Sequence, residues 1–162
     1  MAAPLLRFHA WTEVDAPAQA LFDWHEAPGA FAALTPPGTP VVVESHVGGI
    51  RDGASVILRV GVWPFRVRWY LRHTGYVHGA QFIDEQVRGP FRQWRHVHLI
   101  SPVSPTRARL DDSLEIGLPG GWLGYAIGAP LVRWQLRRLF AYRHAVTRAA
   151  LSSRSRETAD AR

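Results

Sequence analysis

The chain has 162 residues and a net charge of +6, with 19 basic side chains, all arginine, against 13 acidic ones; 47% of it is hydrophobic and 20% charged. That length suits one domain with a sizeable core and leaves no room for two of ordinary size. The lack of cysteine excludes a disulfide framework, a thiol nucleophile and thiolate zinc sites, and the arginines are too dispersed to make a nucleic-acid footprint.

Leu5 to Val14 alternates as a first strand, and Asp15-Ala16-Pro17 then supplies an N-cap and an early proline for a helix reaching about Glu26. Pro28-Gly29 breaks that helix. A second short helix, Ala30 to Leu34, stops at Thr35-Pro36-Pro37-Gly38. Six strands are predicted next, each bounded by Gly, Pro or Ser turns: Val41 to His46, Ala54 to Val62, Arg66 to Tyr76, Gln81 to Arg88, Gln93 to Ser101 and Arg107 to Ile116. The last element is a long helix from about Gly128 to Leu151, on which Val132, Leu136, Leu139, Phe140, Arg143 and Val146 form an apolar stripe able to lie across a sheet. Residues 1–151 therefore read as one domain and 152–162 as a disordered tail.

The predicted fold class is α+β: a curved antiparallel sheet of about seven strands wrapped around a long C-terminal helix, with two short helices after the first strand. The N-terminus shows no secretory pattern. The most apolar segment, 117–132, holds five Gly and two Pro and falls short of the roughly 20 residues that span a bilayer. No stable membrane insertion is expected, and the missing cysteines fit a cytoplasmic protein.

The stretch Phe82 to Leu99 carries the chemistry. Side chains alternate between the faces of a strand, so Trp94, His96 and His98 share one face. The last strand anchors the register: Ala108, Leu110, Asp112, Leu114 and Ile116 face inward. Folding back through Pro102 to Pro105 sets His96 near Asp112 and His98 near Leu110; the turns at Gly89-Pro90 and at Val77 to Gly79 then set Asp84 near His96 and His73 near Asp84. His73, Asp84, His96 and Asp112 thus make a row on the inner face beside Trp69, Leu71, Phe82, Gln86, Trp94 and His98, while Arg68, Arg72, Glu85 and Arg95 face water.

Three accounts of the row stay open. It is a buried polar network that pins the register, the polar end of a ligand cavity, or a catalytic pair in which His96 acts as general base oriented by Asp84 or Asp112. No short motif supports a metal site, and no metal or cofactor is expected. His25 reads as a cation favoured at a helix C-terminus. Trp63-Pro64-Phe65 offers a loop through which an interaction module would recognise another protein.

The element order, with Gly-Pro-Phe-Arg-Gln-Trp-Arg-His-Val-His at its centre and a long amphipathic final helix, resembles the START-like (SRPBCC) superfamily of helix-grip proteins, which includes polyketide cyclases and dehydrases, coenzyme Q-binding proteins and Bet v 1-like proteins. Asp-Trp-His-Glu at 23–26, Pro-Gly-Ala-Phe at 28–31, Leu-Thr-Pro-Pro at 34–37 and Asp-Glu-Gln at 84–86 resemble an uncharacterised bacterial branch. The resemblance implies a small hydrophobic partner, such as a lipid, quinone or polyketide-like molecule, held between sheet and final helix. Trp69, Phe82, Trp94 and Leu136 would form its apolar walls, and His73, Asp84, His96, His98 and Asp112 its polar end. It also implies an association with an epimerase-like protein. The alternative function is a cyclase or dehydratase using the same His and Asp residues.

Overall fold

Ten elements follow one another in a computed structural model that describes residues 4–160. They are β1 (Leu5–Val14), α1 (Ala18–Glu26), α2 (Ala30–Ala33), β2 (Val41–Val47), β3 (Ser55–Val60), β4 (Val67–Val77), β5 (Gln81–Arg88), β6 (Gln93–Ser104), β7 (Arg107–Gly117) and α3 (Gly121–Asp160). The strands form one antiparallel sheet in the order β1-β7-β6-β5-β4-β3-β2. First and last strands pair, so the chain's two ends meet at one edge, where Leu6, Leu114 and Ile116 pack against Leu136 and Phe140 of α3. The curved sheet wrapped on this long helix is the helix-grip fold.

The row register holds at β4–β5–β6, where Asp84 pairs with both His73 and His96. It differs at β6–β7 by two residues: His98 pairs with Asp112 and His96 with Leu114. The strand does not stop before Pro102 but runs to Ser104 through a bulge. Proline is tolerated there because β5 ends at the Gln81–Leu99 pair, which leaves that side of β6 without a strand partner. A slip of two preserves every side chain's face.

Two helix expectations need correction. The N-cap of α1 is Pro17, with no side-chain cap, rather than Asp15. Helix α3 begins at Gly121, seven residues before Gly128, and contains Pro130. Its early glycines serve close packing instead of breaking the helix: a Cβ on Gly124 would sit 1.8 Å from the Pro119 carbonyl oxygen. The bounds of α3 reach Asp160, and Ala161 and Arg162, the end of the expected tail, lie outside the described residues. Ser, Arg, Glu and Ala from 152 to 160 all tolerate a helix. Among the described residues no helix is long and apolar enough to cross a membrane. The β3–β4 turn exposes Trp63 (80%) and Phe65 (82%).

Candidate functional site

Strand alternation delivers His73 from β4, Asp84 from β5, His96 and His98 from β6 and Asp112 from β7 to the inner face, and α3 lowers His144 onto them. Asp112 is the hub. His96 donates through Nε2 to its Oδ1 (2.9 Å), His144 donates through Nε2 to its Oδ2 (2.8 Å), and His98 Nδ1 lies 2.9 Å from Oδ1 but off the line of a hydrogen bond. Asp84 is the second hub. Its Oδ1 lies 2.7 Å from His73 Nε2, and its Oδ2 accepts from His98 Nε2 at 3.2 Å with His96 Nδ1 at 3.7 Å. The donor atoms of Asp84, His96 and His98 all fall within 4.8 Å of one another, the grouping here that could hold a metal ion. His73 Nδ1 is buried without a partner.

Burial works against ionising either carboxylate, yet hydrogen bonds and charge from His73 and His98 hold Asp84 well below the ordinary range, and His144, His96 and His98 do the same for Asp112. Burial also disfavours the His98 cation, but the two carboxylates that flank it outweigh this and raise His98 to about 9. His96, desolvated and facing that cation, is lowered to about 4 despite its bond to Asp112. At neutral pH His98 is thus an imidazolium between two carboxylates and His96 is neutral.

Beside the row lies a cavity of about 390 Å³ under the α1–α2 connection. Phe31, Leu34, Ile50, Val56, Leu71 and Phe82 give it apolar walls, and His25, His73, Asp84, His98 and Arg143 converge at its polar end. A separate and wider recess of about 680 Å³ runs between α3 and the far end of the strands, lined by Trp69, Phe91, Trp94, Trp134, Leu136 and Tyr142 among others.

A family model described as "Domain of unknown function (DUF8410)" matches residues 34–151. The chain belongs to the DUF8410 family. No curated protein matches it. Among solved structures, the DUF8410 domain is similar to a nucleoside-diphosphate sugar epimerase from Corynebacterium glutamicum, with 25% identity and a TM-score of 0.73 over 94% of this chain and 30% of that one. The chain therefore spans less than a third of that protein. It is also similar to the Zhui aromatase/cyclase from Streptomyces sp. R1128 (15% identity, TM-score 0.71, 94% of this chain and 96% of that one). A START superfamily protein from Mycobacterium smegmatis matches at 14% identity and a TM-score of 0.65, over 91% of this chain and 97% of that one. These two likenesses show the fold, the helix-grip arrangement of sheet and α3.

Within the DUF8410 domain the nine expected ligand residues do not share one space. His73, Phe82, Asp84 and His98 line the 390 Å³ cavity, whereas Trp69, Trp94 and Leu136 line the other recess. His96 and Asp112 line neither and sit behind His98 as its support, which takes His96 out of reach of a cavity-bound substrate. The physical reason is distance along the strand: Trp69 and His73 share a face but stand four residues apart, about 13 Å.

Three residues of the DUF8410 cavity and network carry more than the sequence suggested. His144 is found by following Phe140, His144, Thr147 and Leu151, all buried, along the second edge of the α3 stripe. Arg143 donates through Nε to the Leu34 carbonyl and reaches the cavity, and burial lowers its pKa. His25 is not the helix-end cation expected. Its Nδ1 donates to the Leu21 carbonyl (2.9 Å), burial lowers it to about 4, and its ring lines the cavity.

Proposed function

We propose that this domain binds a small, largely apolar molecule, of the lipid, quinone or polyketide-like kind, in the cavity of about 390 Å³, with an oxygen of the ligand at the polar end. One observation carries the reading: an apolar recess of ligand-binding size closes on convergent groups of opposite hydrogen-bonding character. Arg143, whose Nε alone is committed to the Leu34 carbonyl, donates through its terminal nitrogens to a carbonyl or an anionic oxygen, and the nearby His98 charge favours the latter. His25 offers an acceptor, because its Nδ1–H is committed to Leu21 and the lone pair is left on Nε2. Phe31, Leu71 and Phe82 bury the rest of the molecule.

A second reading is a cyclase or dehydratase, and the same His25 favours it. A neutral imidazole with its tautomer fixed by the backbone suits a general base. His96, the base expected from sequence, does not line the cavity, so the role passes to His25 or His73. The epimerase activity named for the C. glutamicum protein stays with that longer chain, and the likeness does not support an association of this domain with an epimerase-like protein. A cytoplasmic location remains part of the proposal.

Native mass spectrometry of the purified, untagged protein, followed by denaturation and small-molecule analysis, tests the binding reading. A stoichiometric apolar adduct is the expected result. A bare-chain mass, combined with no saturable change in tryptophan fluorescence on adding a ubiquinone analogue, a fatty acid or a naphthoquinone, overturns it.

A further inference from the structure

Tetrahedral donors held 2.0–2.2 Å from one ion are about 3.3–3.6 Å apart. The buried row comes close to that spacing: Asp84 Oδ2 is 3.2 Å from His98 Nε2 and 3.7 Å from His96 Nδ1, and one ligand atom from each of the three residues lies within 4.8 Å of the other two. We propose that Asp84 Oδ2, His96 Nδ1 and His98 Nε2 form a site for one divalent transition-metal ion of the zinc class, with its open position toward the cavity.

Ligand chemistry and support agree. Two imidazoles and one carboxylate suit Zn²⁺, Co²⁺ or Fe²⁺ and suit Mg²⁺ or Ca²⁺ poorly. Three protein donors leave a fourth position, and Asp84 and His98 both border the cavity, so that position faces the space a ligand oxygen would enter. The nitrogens of His96 and His98 that face Asp84 are the ones turned away from Asp112. The opposite nitrogens, His96 Nε2 and His98 Nδ1, each lie 2.9 Å from Asp112 Oδ1. The His96 contact is a hydrogen bond, and a carboxylate so bonded behind a ligating imidazole fixes tautomer and ring orientation at metal centres, while at His98 the same carboxylate stands at contact distance.

The outer groups are themselves held. His144 occupies Asp112 Oδ2, and His73 occupies Asp84 Oδ1, which leaves Asp84 Oδ2 as the oxygen turned toward both imidazoles. No sequence motif announces the site, because the donors come from two strands: His-x-His on β6 places two imidazoles on one face, and β5 supplies the carboxylate through the Asp84–His96 pair. An ion there replaces the hydrogen bond between His98 and Asp84, so the site and the polar network are alternative states of the same residues.

The test uses untagged full-length protein stripped with a chelator and titrated with Co²⁺ alone, read by visible d–d absorption, with Zn²⁺ as competitor. One equivalent of Co²⁺ should bind, give bands of a four- or five-coordinate ion, and be displaced by Zn²⁺. Asp84→Asn and His98→Gln should each weaken binding at least tenfold while far-UV circular dichroism is retained. Should either variant fail to fold, imidazole ¹⁵N shifts of the wild type replace it: Zn²⁺ should move the His96 and His98 resonances and leave those of the exposed His9 and His78 in place. Absence of a stoichiometric d–d signal overturns the proposal, as does binding unchanged in the folded variants or shifts confined to surface histidines. The ligand reading is measured separately by the fluorescence titration in chelator, so either can fail without the other.

Discussion

His144 on α3 donates to Asp112 on β7 across 2.8 Å, with both residues buried, so the helix is fastened to the middle of the sheet by a polar bond. The other Asp112 oxygen takes His96. Removing this carboxylate leaves His96 and His144 without their acceptor and takes away one of the two charges that flank His98.

Asp112→Ala should therefore destabilise the fold by about 2–4 kcal/mol, since breaking a buried charged network leaves its partners unpaired. Urea unfolding followed by circular dichroism measures it. Asp112→Asn, which keeps the volume and one acceptor, should cost less. A loss below about 0.5 kcal/mol for the alanine variant would mean that the network contributes nothing to the attachment of α3.

The division between the two recesses gives a paired prediction. Val56 is buried and lines the 390 Å³ cavity, so Val56→Phe fills it and should weaken binding of an apolar ligand at least tenfold, at a packing cost of about 1–3 kcal/mol. Trp94→Ala, which opens the other recess, should leave that affinity within about twofold, a change of roughly 0.4 kcal/mol. Fluorescence titration of both variants with the adduct recovered from the wild type decides between the cavities, and the reverse pattern would move the ligand to the tryptophan-lined recess.

Much of this was legible because a strand's period is two. The alternation of Trp94, His96 and His98, and of Leu110, Asp112 and Leu114, placed every one of these side chains on its observed face even though the β6–β7 register slipped by two. What alternation does not carry is position along the strand or what lies above the sheet. Hence Trp69 and His73 read as one wall although they border different spaces. His25 and His144 reach the site from helices whose approach depends on tertiary packing, and the glycine-rich start of α3 hid its helical character for the same reason.

That start of α3 yields a test in which helix propensity and packing predict opposite signs. Alanine is the better helix former by about 1 kcal/mol, but a Cβ at Gly124 would lie 1.8 Å from the Pro119 carbonyl oxygen, backbone that has no rotamer by which to yield. Gly124→Ala should thus destabilise, by about 2 kcal/mol or more. A raised melting temperature would show that α3 does not pack this closely on residues 118–119.

His25 links burial to pH. Its pKa is about 4 in the folded chain against 6.5 for an ordinary histidine, chiefly because burial disfavours the cation. Between pH 6.5 and about 4 the unfolded chain takes up a proton that the folded chain refuses, so stability due to neutral His25 is complete above pH 6.5 and drains away as pH falls through that window. At 1.36 kcal/mol per unit the limit is on the order of 3 kcal/mol. Calorimetric melting from pH 7.5 down to 4.5, with chelator present, should show the wild type losing stability faster than His25→Gln, whose difference from the wild type shrinks or changes sign toward the acid end. If the two curves run parallel, His25 titrates alike in both states. Its Nε2 would then be open to water rather than facing the apolar cavity, the acceptor assigned to it at the polar end would be lost, and His73 would be left as the candidate general base.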